Sequence, residues 1–330
     1  DEPMAGNPAG VVPEPEGLDD EQFGKIAAEL GASETAFVLP SEDADRRLRY
    51  FTPETEVDLC GHATVAAHAL LFERDRIDAG THTLATEAGT FEIEIDDDGT
   101  VWMEQATADV RRADASYEDV AAALGIDVAT LRDVGADLPL AVASTGVPFL
   151  LVPVNYFEHL RDADPDMLAI QQLCESVDAE GLYAFTFDTL DRASTLHGRA
   201  FVPRLGIPED PVTGTASGAV CAYLRHHGAL DQPDPLVCEQ GHFLDRPGRV
   251  LVRTGHPAET EKNEAADGNE AEHGNEDGDG NEDGGSDGDD DSDETLRADP
   301  TAPTVGGRAV TVLDGDLTLP DADEDDIIEA

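Results

Sequence analysis

Two stretches of small apolar residues stand out from this polar-rich chain by their spacing. From Ala63 to Phe72 nearly every position is apolar, which predicts a buried central helix rather than one with a wet face. Ala216, Ala219, Val220, Tyr223 and Leu224 recur at helical spacing and predict a second helix. An amphipathic helix is expected on Phe23, Ile26, Ala27 and Leu30, capped by Asp19 or Asp20 and closed by Gly31. Further helices are predicted at 117–124 and 164–174. Short apolar or alternating runs predict strands at 33–39, 48–52, 91–95, 101–105, 140–144, 148–154, 182–187, 197–202, 249–253 and 308–313. Asp96 to Gly99 makes a hairpin turn.

These elements repeat. Arg49-Tyr-Phe-Thr-Pro53 leads through an extended loop to Cys60-Gly-His-Ala-Thr64 and the first central helix. Arg199-Ala-Phe-Val-Pro203 leads likewise to Thr213-Gly-Thr-Ala216 and the second. After each helix comes a similar strand signal, Ala85-Thr-Glu-Ala-Gly89 and Val237-Cys-Glu-Gln-Gly241. A weak internal duplication follows: two halves, 1–108 and 109–320, each aiming a helix N-terminus at a shared cleft. Registering the copies places an insert, 258–304, at a hairpin tip between the strands 249–253 and 308–313. That insert is Gly, Asn, Asp and Glu without apolar periodicity, so it is expected to be disordered. Residues 321–330 form an acidic tail. The chain opens abruptly on a turn signal, Gly6-Asn7-Pro8-Ala9-Gly10, and a strand is expected before it.

Formal net charge is −53, and the 258–299 stretch holds 18 acids and 2 bases, which leaves −37 on the remainder. Only Lys25 and Lys262 are lysine. Acid spread through the folded part, with lysine nearly eliminated, looks like adaptation to high salt. There is no basic footprint for nucleic acid, and lysine-based cofactor chemistry would rest on Lys25 alone. Cys60, Cys174, Cys221 and Cys238 lack metal-ribbon spacing. With no membrane-length apolar run and no signal peptide, a cytoplasmic protein is expected, with a homodimer as its assembly.

The chemistry concentrates at three places. Gly214 and Thr215 open the second helix, where free N–H groups and the positive dipole end suit an anion. Asp210 stands just before them, held extended by Pro211. An ordinary helix cap would give the same local pattern. Gly61 and His62 open the first helix in the same way. Glu34 enters an apolar strand, where desolvation is expected to raise its pKa toward general-base range; a solvated strand-end glutamate fits the same residues. His68, inside the first helix, is expected to be a satisfied core histidine.

Gly6-Asn-Pro-Ala-Gly10, Ser33-Glu-Thr-Ala-Phe-Val38, Arg49-x-Phe-Thr-Pro53, Cys60-Gly-His-Ala-Thr64 and Glu209-Asp-Pro-Val-Thr-Gly-Thr-Ala216 together resemble the phenazine-biosynthesis PhzF-like isomerases. The resemblance implies an α+β, diaminopimelate-epimerase-like fold: two pseudo-symmetric domains, each a sheet rolled around a central helix. It implies a small-molecule substrate and no cofactor or metal. Glu34 would be the acid/base, His62 and Asp210 would bind and polarise the substrate, and Gly61, Gly214 and Thr215 would supply helix-end contacts. Thr215 stands where the family usually has serine. Related epimerases carry a cysteine at each helix mouth; here Cys60 has only Thr213 opposite it, so two-thiol epimerisation is not expected. A Cys60–Glu34 two-base epimerase or racemase of an amino or hydroxy acid, or a non-catalytic metabolite-binding protein, are the alternatives.

Overall fold

The computed structural model describes residues 2–134, 137–230, 234–253 and 302–319. The first half runs β1 (Ala9–Val12), α1 (Asp20–Leu30), β2 (Glu34–Leu39), β3 (Arg46–Phe51), β4 (Glu56–Val57), α2 (Gly61–Glu73), β5 (Gly80–Thr86), β6 (Gly89–Ile95) and β7 (Val101–Glu104). The second half opens with β8 (Asp109–Arg112), α3 (Tyr117–Leu124), α4 (Ala129–Arg132), β9 (Ala141–Ser144) and β10 (Pro148–Pro153). It continues with α5 (Phe157–Arg161), α6 (Met167–Ser176), β11 (Gly181–Thr186), β12 (Leu196–Val202), β13 (Ile207–Asp210), α7 (Gly214–His226), β14 (Leu236–Gln240), β15 (Gly248–Arg253) and β16 (Thr304–Gly307).

The duplication is visible in the ladders. β3 is antiparallel to β2 and to β4 but parallel to β5. Its counterpart β12 is antiparallel to β11 and to β13 but parallel to β14. The motif arginines behave alike. Arg49 grips Glu56 through Nε and Nη2, both at 2.7 Å, and Arg199 grips Glu209 at 2.9 and 2.8 Å. Each guanidinium also lies over its own motif phenylalanine, Phe51 or Phe201. Two-pronged pairing suits the planar arginine fork and fixes each short strand just ahead of a central helix.

Each half-sheet wraps its helix. Ala63, Ala67 and Ala69 of α2 pack among Leu48, Tyr50, Leu84, Ile93 and Met103. Residues Ala216 to Leu224 of α7 are buried without a break, as a helix enclosed on all sides must be. α1 covers the outer face of the first half through Phe23 and Ile26, while α3 and α6 cover the second. Asp19 caps α1 in a reciprocal pair with Gln22, and Gly31 ends it in the left-handed region; Leu30, expected on the apolar side, is exposed.

The halves share one continuous sheet. Their last strands, β7 and β16, pair antiparallel, with Gly306 opposite Trp102 and Val305 opposite Met103. β15 pairs with the other edge of β16, Arg253 facing Thr304. The strand predicted at 308–313 therefore lies elsewhere, at Thr304–Gly307, so the strand begins at the last residue of the expected insert. The reason is steric. A Cβ at Gly306 would meet the Trp102 ring at 2.3 Å, so a glycine-rich stretch of weak strand propensity is the one that fits the seam. Residues 308–319 join no strand: Val310, Val312 and Leu313 are exposed, and Thr311 and Asp314 reach Glu73 and Arg74 at the end of α2. The remainder of the acidic insert and the tail at 321–330 lie outside the described residues. Among the described residues no helix is long and apolar enough to cross a membrane.

Candidate active site

α2 and α7 begin at equivalent caps. Cys60 and Thr213 are the N-cap residues, neither side chain accepts a capping bond, and each N-cap carbonyl accepts the hydroxyl of the residue four positions on, Thr64 or Ser217. First-turn N–H groups at both mouths are thus left for something else. Both mouths open on one cleft of about 1880 Å³, lined by Asn7, Gly61, His62, Asp210, Gly214 and Thr215 among others. The structure therefore brings together every site residue expected from the sequence, with Glu34 reached through His62.

Glu34 stands at the first position of β2, half-buried. Its Oε2 lies 3.2 Å from His62 Nε2, close enough to pair with it. Ser33 Oγ also sits 3.3 Å from His62 Nε2. On the other side of the ring, Cys60 Sγ is 3.4 Å from Nδ1. The expected rise in the Glu34 pKa is not what this setting produces. Burial pushes its carboxyl up, but the hydrogen bond and charge of His62, with a bond from Ser33, outweigh burial and leave it below the ordinary 4.5. His62 is 28 positions away in sequence, which is why local pattern misses the sign. Burial would lower His62, yet Cys60 and Glu34 on either side hold it well above 6.5.

Asp210 is the carboxylate that burial does raise, over the opposing bonds from Thr213 and Asn7. Asn7 Nδ2 donates to its Oδ1 at 2.9 Å, and Thr213 Oγ1 donates to Oδ2. Gln240 braces both: its Nε2 donates to the Asp210 carbonyl at 2.7 Å and to Thr213 Oγ1 at 3.0 Å. Thr145 Oγ1 donates to the Thr215 carbonyl at 3.1 Å, so the hairpin of β9 and β10 buttresses the α7 mouth. Asn7, Thr145 and Gln240 escape sequence reasoning as site residues, since each acts across more than 25 positions of chain; only the Gly6–Gly10 turn pointed near one of them. His68 is half of what was expected: Nδ1 meets the Thr64 carbonyl at 2.9 Å, Nε2 has no partner, and burial lowers the ring to about 4.

A family model described as phenazine biosynthesis-like protein matches residues 1–270. The chain is 38% identical over 268 residues to the uncharacterized isomerase YfhB of Bacillus subtilis (strain 168), covering 80% of this chain and 87% of that protein. It is 36% identical over 257 residues to the uncharacterized isomerase YddE of Escherichia coli (strain K12), covering 77% and 84%. A crystal structure of a PhzF-family phenazine biosynthesis protein from Bacillus anthracis superposes with a TM-score of 0.77 at 30% identity, covering 96% of this chain and 95% of that one. A probable proline racemase from Agrobacterium radiobacter, at 13% identity, TM-score 0.54 and coverage of 93% and 84%, shares the fold. The architecture is thus diaminopimelate-epimerase-like, and the chain belongs to the PhzF family of isomerases.

Proposed function

We propose that the protein moves a proton within a small carboxylate-bearing substrate, using Glu34 as the single acid/base. The observation that carries this reading is the pairing of Glu34 with His62 at the mouth of α2, in a cleft that α7 also faces. The uncapped N–H groups at Gly61-His62 and Gly214-Thr215 suit the substrate's carboxylate. Asp210, fixed by Asn7 and Thr213, anchors a polar group on the substrate. Glu34, kept ionised, takes a proton from one carbon as electron density moves toward the polarised end of the substrate. It then returns that proton to a second carbon on the same face. The imidazolium of His62 balances the carboxylate before the transfer and stabilises negative charge on the substrate after it. Enclosure between the halves limits exchange of the carried proton with water.

The test is Glu34→Gln, which keeps size and hydrogen bonding but accepts no proton. Deuterium uptake from heavy water into cyclic and acyclic amino and hydroxy acids identifies a substrate. Turnover on it should fall by roughly 10²–10⁴, the usual worth of a positioned acid/base, with ligand affinity little changed. Exchange at the wild-type rate in this variant would rule Glu34 out and make Asp210 the next candidate.

A further inference from the structure

We propose that the substrate carries an unbranched aliphatic chain beside its carboxylate, and that this chain lies along α2 beneath residues 308–319. The inference rests on the reading of the two helix mouths as the carboxylate site, and it gives a use to the length of cleft beyond them. At about 1880 Å³ the cleft exceeds the roughly 300–1,000 Å³ of an ordinary small-ligand site. Its extra length runs along one side of α2. His62, Val65, Ala66, Ala69, Leu70 and Glu73 all line it, and residues so spaced share one face of a helix. From His62 to Leu70 that face runs about 12 Å, and beyond His62 it is apolar until Glu73. The duplicated halves supply the contrast. α7, the counterpart of α2, is buried without a break from Ala216 to Leu224, but Val65, Ala66 and Leu70 of α2 are only half-buried.

The facing wall is the segment 308–319. It is anchored before its start by Val305 in the seam and at its end by Leu319, which packs on the Phe23 cluster beneath α1. Between these anchors Val310, Val312, Leu313 and Leu317 are 40%, 58%, 83% and 47% exposed, and all four line the cleft. Met4 and Leu30 are exposed and line it too, so six of the eleven exposed large apolar side chains among the described residues gather in this one place. Exposed apolar side chains collected in a groove mark a binding surface, whereas scattered ones mark nothing. Continuity with the helix mouths decides the occupant: a ligand whose carboxylate meets those N–H groups has the groove beside it, starting at His62. Valine, leucine and alanine walls suit a flexible aliphatic chain. The far end is crossed by Thr311, which donates to Glu73 at 2.7 Å, and by Arg74 paired with Asp314 at 3.0 Å, and this crossing limits the chain's length.

The experiment titrates the full-length protein calorimetrically, in molar potassium chloride, with acetate, butanoate, hexanoate and octanoate. Affinity should rise two- to fourfold per added methylene, as burial of each predicts, and octanoate should saturate at one equivalent. Octan-1-ol, which lacks the carboxylate, should bind at least tenfold more weakly than octanoate. The double variant Val312→Asn with Leu317→Asn changes two exposed side chains, so its melting temperature should match the wild type. It should bind octanoate at least tenfold more weakly and acetate equally well. Affinity that stays flat along the series would overturn the proposal. So would octanoate binding that the double variant leaves unchanged, since the chain would then lie elsewhere. A dimer in gel filtration that the double variant dissociates would assign the exposed face to a second copy of the chain, and would overturn it as well. Binding is read without turnover, so a failed series and an inert Glu34→Gln result are separate outcomes.

Discussion

Glu34 and Asp210 approach one cleft from the two halves, and their surroundings drive them in opposite directions. Glu34 lies below 4.5 because His62 and Ser33 outweigh its burial; Asp210 lies above 3.8 because burial outweighs Thr213 and Asn7. Catalysis through the Glu34–His62 pair needs the carboxylate ionised and the ring protonated. The acid limb of kcat/KM should therefore fall below pH 4.5 and the alkaline limb above pH 6.5, with a plateau between. The pair's contribution to stability has the same window. The lowered Glu34 gives stability that is present above 4.5 and lost as pH falls through its folded value. The raised His62 gives stability that is present below 6.5 and lost as pH rises through its own. A rate that already halves between pH 5 and 6 would contradict the ion-pair form. At this scale the sequence reveals the candidate residues but not their partners, since Cys60, His62 and Glu34 meet only once β2 and the α2 cap fold together.

Among the elements, the seam between β7 and β16 holds the cleft walls in register. Trp102 lies over Gly306, donates Nε1–H to Asp96 at 2.7 Å, and carries the Arg253 guanidinium 3.7 Å above its ring. Gly306→Val would drive a branched side chain into the indole and should cost about 1–3 kcal/mol, as overpacking of a filled site does. Gly307→Ala, next to it with no close neighbour at its Cβ, should cost well under half as much by thermal or urea unfolding. Equal losses would show that glycine flexibility, not the indole, decides the seam. The caps of α1, the span of α3 and the Arg-x-Phe-x-Pro repeat were legible because each is written locally. β16 was not, because its two glycines conceal a strand and face partners 204 and 206 positions away, Trp102 and Val101. The alternating 308–313 stretch resembled a strand more closely and had no edge to join.

For the whole molecule, charge sets the conditions. With −37 outside the acidic insert, self-repulsion grows as the Debye length lengthens from about 3 Å at 1 M salt to about 10 Å at 0.1 M. The melting temperature should climb with potassium chloride, and a flat profile would sink the reading of this composition as an adaptation to high salt. The duplicated architecture itself was visible in the repeat of motifs. The sharing of a single sheet was not, because pairing between the two last strands leaves no trace in either strand's own pattern.

β16 is held by ladders on both edges yet is joined in sequence to β15 only through the 50 residues between Arg253 and Thr304. The two ladders, not that connection, hold β16 in the sheet, and the length of so long a loop matters by only about 0.6 kcal/mol per doubling. A protease site written into that stretch should therefore yield a nicked protein: two bands under denaturing electrophoresis, one particle by gel filtration, and turnover retained. The C-terminal fragment then behaves as a wedge that can be expressed apart and added back, and withholding it should leave β7 and β15 as bare edges that aggregate.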